Sequence, residues 1–154
     1  MEMKKFVMIF AAMVTLASCG KNDQVEFDEA FAYLSLEDGS SSQNIPWNSN
    51  GNLQTYYVNF VTPARKDAVS FSYVITTDLV EGLDYRKIAT TSSPLTFQPG
   101  IYQMPIRIEW LRNPLDASAS NTLTIELTEC SDAGVRLGKP GPAERGRRLV
   151  ITKY

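Results

Sequence analysis

The sequence predicts an all-β chain, a single antiparallel β-sandwich of seven or eight short strands. Three observations carry that expectation. Apolar residues alternate with polar ones at a period of two in one segment after another. Clusters of Pro, Gly, Asn and Ser fall between those segments and mark turns. No apolar repeat of 3.6 residues is sustained anywhere after the first nineteen residues. Strands with one apolar face need a second layer to cover it, and a sandwich supplies one.

The segments follow in order. Phe31, Tyr33 and Ser35 alternate with Ala32, Leu34 and Leu36. The stretch from Gly39 to Asn52, rich in Ser, Asn and Gly, reads as a long loop. Tyr56, Val58 and Phe60 share one strand face, closed by Pro63 and the charged turn Arg65-Lys66-Asp67. Val69, Phe71, Tyr73 and Ile75 oppose Ser70, Ser72 and Thr76, the clearest half-buried pattern in the chain. Leu95 and Phe97 form a short strand that Pro99-Gly100 turns sharply. Ile106, Ile108 and Trp110 then alternate with Arg107 and Glu109, which places Trp110 in the core. Leu123, Ile125 and Leu127 repeat the pattern against Thr122, Thr124, Glu126 and Thr128. Val135 and Leu137 precede a Gly-Pro-rich break from Gly138 to Pro142, and Leu149 and Ile151 mark the last strand.

Composition narrows the function. The chain has 154 residues, which suits one domain. Fifteen basic residues against seventeen acidic ones leave a net charge of −2, too little positive field for a nucleic-acid partner. There is no histidine, which removes Ser-His-Asp and Cys-His catalysis and His-ligated zinc. Carboxylates at Glu37-Asp38, Asp78, Glu81 and Asp84 are of the type a glycosidase pair uses. Surface carboxylates are more often solubilising, and no Gly-rich phosphate loop or metal-ligand cluster accompanies them. The expectation is a protein that is not an enzyme and carries no cofactor.

The first nineteen residues read as an address. Lys4 and Lys5 precede an uncharged, mostly apolar run from Phe6 to Leu16, followed by the small residues Ala17 and Ser18. Eleven helical residues span only about 16 Å, roughly half of a bilayer core, so a secretion signal fits better than a membrane span. Leu16-Ala17-Ser18-Cys19 resembles the bacterial lipobox. The resemblance implies diacylglyceryl attachment to the Cys19 thiol, cleavage before it, and acylation of the new amino terminus; two or more chains anchor stably. Residues 1–18 are then a lipoprotein signal peptide and 19–28 a lipidated tether. Gly20 is not the aspartate associated with inner-membrane retention, so the outer membrane is the expected site. The periplasmic and cell-surface leaflets both stay open.

From Val69 onward the chain is similar to the Calx-beta family. The resemblance is carried by Val69 to Thr76, Gly82-Leu83-Asp84-Tyr85 and Leu95-Thr96-Phe97-Gln98-Pro99-Gly100. Ile106-Arg107-Ile108, Leu123 to Leu127, Ala133 to Gly138 and Leu149-Val150-Ile151 extend it. It implies an immunoglobulin-like, Greek-key sandwich over residues 29–154. It also implies calcium at one end of the sandwich, through Asp84. Calcium takes six to eight oxygen ligands. The family's acidic pair after the Ile106 strand falls at Arg112-Asn113, and its next glutamate at Asn121. The expectation is therefore no metal, with Asp84 a residual candidate that otherwise caps a turn.

Two further residues stand out. Trp47 lies in the polar stretch Ile45-Pro46-Trp47-Asn48, where an exposed indole would stack on a sugar or anchor a partner. The competing reading has Trp47 and Ile45 folding back over an open end of the sandwich. Cys130 is the second cysteine, expected as a partly buried thiol at a strand end. Together these features predict an outer-membrane lipoprotein whose non-catalytic sandwich binds a protein partner or glycan in the cell envelope. A calcium-dependent structural or adhesion domain is the alternative.

Overall fold

Alternating strands hide their apolar faces by pairing two layers. In the computed structural model, which describes residues 29–89 and 92–154, those layers are two five-stranded sheets. The stretches expected as signal peptide and tether, Cys19 included, lie outside the described residues. The strands, numbered in chain order, are β1 (Phe31–Ser35), β2 (Ser42–Ile45), β3 (Asn52–Val61), β4 (Val69–Thr77) and β5 (Tyr85–Lys87). They continue with β6 (Leu95–Phe97), β7 (Gln103–Trp110), β8 (Thr122–Cys130), β9 (Arg136–Leu137) and β10 (Arg148–Lys153). One sheet runs β5-β7-β3-β1-β9 and the other β2-β10-β8-β4-β6. The all-β, sandwich-like fold read from the sequence is what forms, and the described residues contain no helix long and apolar enough to cross a membrane.

The core is built by the predicted faces. Tyr56, Val58 and Phe60 from β3, Ile106, Ile108 and Trp110 from β7, and Leu123, Ile125 and Leu127 from β8 are all buried. Leu149 and Ile151 of β10 join them. In β4 only Val69 and Phe71 are fully buried; Tyr73 and Ile75 are partly covered. The β4–β8 register slips between Ser72 and Tyr73, a bulge that bends the strand where β6 stops pairing with it.

Three features differ from the expectation. There are ten strands rather than seven or eight among the described residues. The predicted loop from Gly39 to Asn52 contains β2, and Tyr85–Lys87 forms β5 against β7. Two pairings are parallel rather than antiparallel, β1 with β9 and β2 with β10. The sequence Ser42-Gln43-Asn44-Ile45 has no apolar alternation, because only Ile45 reaches the core. Its strand character comes from backbone pairing to β10, which no local pattern reports.

The registers define two ends. At the entry end the chain passes from Ala30 into β1, where Phe31 pairs with Val61, and Val69 pairs with Phe97. The loops 62–68, 98–102 and 131–135 lie there. Phe60, Phe71 and Phe97 close this end across the sheets with ring centroids 5.0, 5.9 and 5.2 Å apart, each edge to face. At the far end Asn52 pairs with Trp110 and Thr77 with Leu123. The connections 46–51, 78–84 and 111–121 lie there with Tyr154. The ten residues of β3 separate the two ends by about 30 Å.

Candidate functional site

The far end gathers the residues singled out by the sequence. Alternation along β10 puts Leu149, Ile151 and then Lys153 on the core side, so an ammonium is driven into the interior. Lys153 is 2 % exposed, and its Nζ lies 2.7 Å from Asp84 Oδ1. A buried charge needs both a counter-ion and hydrogen bonds. Asp84 provides the first and receives the second: Asn113 Nδ2 donates to Oδ1 at 2.9 Å, and the Val80 N–H donates to Oδ2 at 2.9 Å. Burial pushes the Asp84 carboxyl upward. The Lys153 ammonium, the Val80 N–H and the Asn113 amide outweigh that and hold it below its ordinary value.

This node ties three connections and the last strand together. Asp84 ends the turn begun by Val80, where Gly82 adopts φ +90°, a conformation that favours glycine. The Leu111 N–H donates to the Asp84 carbonyl at 2.9 Å, and the Lys153 N–H donates to the Asn121 carbonyl at 2.9 Å. Asn121 itself sits at φ 52°, which asparagine tolerates better than most residues, and its amide donates to the carbonyls of Asp116 and Ala119. Tyr154 completes the frame: its N–H donates to the Ile45 carbonyl, and its carbonyl accepts from Trp47 N–H at 2.6 Å.

A second polar chain runs beneath. Trp110 Nε1 donates to the Tyr56 hydroxyl at 3.1 Å, which donates to Gln43 Oε1 at 3.0 Å. Gln43 Nε2 donates on to Gln54 Oε1 at 3.1 Å. Burial pushes the Tyr56 phenol well up, against the opposing bond from Trp110. Both aromatic residues therefore keep their polar atoms satisfied inside the core.

Trp47 stands at the rim of this frame with 37 % of its surface exposed. Ile45 beside it is buried, while Trp47 is partly covered and partly open. The Arg112 guanidinium lies 5.9 Å from the Trp47 ring centroid. Trp110 is wholly buried, as its strand pattern predicts, and Cys130 is a half-buried free thiol at the end of β8.

The donor set around Asp84 does not fit calcium. Both of its oxygens are engaged by nitrogen donors, one of them a cation. Among the described residues no group of three or more His, Cys, Asp or Glu side chains converges. Asp84 therefore caps its turn, and Lys153 supplies from within the chain the positive charge that a metal would bring. Asp78 and Glu81 are also engaged. Asp78 accepts bonds from the backbone N–H groups of Ser120, Asn121 and Thr122 and from the Ser120 hydroxyl. The Ser120 hydroxyl and the N–H groups of Thr122 and Ser120 hold the Asp78 carboxyl below its ordinary value. Glu81 pairs with Lys87 at 3.2 Å. Sequence reasoning missed Lys153 altogether, although the rhythm Leu149, Ile151, Lys153 already placed it inward.

Fold and site together define an all-β, two-sheet module whose far end is locked by polar contacts and presents an indole outward. Neither a protein-family model nor a curated protein matches the chain.

Proposed function

We propose that this chain is an outer-membrane lipoprotein, anchored through Cys19, whose sandwich is a non-catalytic module binding a protein partner or glycan in the cell envelope. The observation that carries the reading is Trp47, a large amphipathic ring left outward on a framed loop end. The leader pattern ending in Leu16-Ala17-Ser18-Cys19 supports the anchor. Five aspartates bear on one catalytic role, that of a general acid. Asp38, Asp78, Asp84, Asp116 and Asp132 are all held below their ordinary values, the opposite of what a general acid requires.

Two measurements test the reading. Labelling with radioactive palmitate marks the wild-type protein in the membrane fraction and leaves Cys19→Ala unlabelled. A mature protein found unacylated and free in the medium overturns the anchor. For the module, a glycan array and an envelope pull-down compare wild type with Trp47→Ala. Retention by the wild type and loss in the variant support the binding role, whereas identical profiles exclude Trp47 from it.

A further inference from the structure

We infer that the far end of the sandwich is a protein-docking surface, built from Trp47, Val80, Leu83, Tyr154 and Arg112, for a partner that presents an apolar side chain next to a carboxylate. The inference rests on the proposed binding role and adds to it the surface, the partner class and the direction in which it faces.

The apolar content of this end comes first. Val80 is 52 %, Leu83 59 % and Tyr154 59 % exposed, all on the far-end connections or beside them, and the Trp47 backbone is bonded to Tyr154. Other exposed apolar side chains are dispersed: Leu53, Val74 and Val150 sit singly on the outer sheet faces, and Ile101 and Tyr102 lie at the entry end. Large apolar groups grouped at one end mark an interaction site more than scattered ones do. Trp, Tyr and Arg are also the residue types that dominate protein interfaces.

The backbone beneath these side chains is fixed before any partner arrives. Val80 and Leu83 belong to the turn that Asp84 caps, and Asp84 is locked to Lys153 inside the core. Trp47 and Tyr154 are joined by the 2.6 Å backbone bond. A surface held this way loses little conformational freedom on binding.

Charge then selects the partner. Arg112 has no carboxylate partner among the described residues; its guanidinium lies against the Trp47 ring instead. Asp84, an acid of the same frame, is buried and neutralised by Lys153. The far end therefore offers a cation beside an apolar ring, and a carboxylate beside an apolar side chain complements it. A glycan fits less well. Sugar recognition needs an open ring face bordered by free polar groups, yet one face of Trp47 carries Arg112, and Asp78 and Asp84 are already hydrogen-bonded. Val80 and Leu83 would stay exposed to water beneath a sugar, whereas a protein side chain buries them.

Position completes the argument. The chain enters the sandwich at Ala30, and the far end lies about 30 Å away along β3. A lipid on Cys19 would attach the chain at the entry end, the end opposite Trp47.

Photo-crosslinking in the producing cell tests the inference on the full chain. A benzophenone amino acid replaces Leu83, Tyr154 or, at the entry end, Ile101. The expected result is that the same envelope protein is crosslinked from positions 83 and 154 but not 101, with the adduct on a segment pairing an apolar residue with Asp or Glu. Arg112→Glu lowers that yield about tenfold or more, and Arg112→Lys retains part of it. Equal yield from Ile101, a carbohydrate adduct, or no adduct from either far-end position overturns the inference. Fractionating the same cells separates the two readings. A soluble chain that still crosslinks sinks only the anchor; a membrane-bound chain with no far-end adduct sinks only the docking surface.

Discussion

The two ends of the sandwich are closed by different physics. At the entry end three phenylalanines meet edge to face across the sheets, and the nearby ion pairs Arg65–Asp132 and Arg136–Glu29 stay partly solvated. At the far end the closure is a buried ammonium on a buried carboxylate, with an amide and a backbone N–H completing the set. Apolar closure grows with area removed from water and carries no charge to lose. Polar closure is directional and holds loops at fixed angles, yet fails sharply if one member is removed. An end with only packing to do can be made of rings. Surface loops held in one arrangement need the polar node.

The contrast can be broken from either side. Phe71→Ala removes the central ring of the apolar end and should cost about 3–5 kcal/mol. Urea unfolding should show that loss unchanged between neutral and mildly acidic pH. Lys153→Met leaves Asp84 buried without its counter-ion and should cost about 3 kcal/mol or more. The double variant Asp84→Leu/Lys153→Met should be more stable than Lys153→Met alone, since no uncompensated charge remains. A double variant at least as damaged as the single one would show that the node is not acting as a charge pair.

Acid sharpens the same comparison. The folded value of Asp84 lies below its unfolded value of about 3.9. Its contribution is therefore fully present above about pH 4 and is lost as pH falls through the folded value. Below about pH 4 the wild type should lose stability relative to the double variant, because only the wild type forfeits the ionised pair. Denaturant melts at a series of pH values measure it. Arg65→Ala, at a partly exposed pair, should cost under about 1 kcal/mol, and less at high salt. Smallest of all, Trp47→Ala should change stability by no more than about 0.5 kcal/mol.

The legible part of the fold is the part that local chemistry dictates. β3, β7, β8 and β10 announced themselves because each alternates apolar and polar residues and buries one face. Phe71 and Trp110 were placed in the core by the same rhythm. β2 was not legible, since a strand of Ser, Gln and Asn exists only because β10 pairs with it. At the site, Asp84 was found through its turn and Trp47 through its polar surroundings. Their relation was hidden: the Lys153–Asp84 bond joins residues far apart in the chain, one in β10 and the other in the turn before β5, a distance that no spacing rule spans.

The parallel pairing of β2 with β10 has a kinetic consequence. It joins residues about a hundred positions apart, as does that of β1 with β9, and β10 lies between β2 and β8. Loop closure on that scale precedes any reward from contact, which places the chain among the slower folders, on the order of milliseconds to seconds. Until β10 forms, β2 has no neighbour to pair with among the described residues, so that edge of the sheet waits on the last strand.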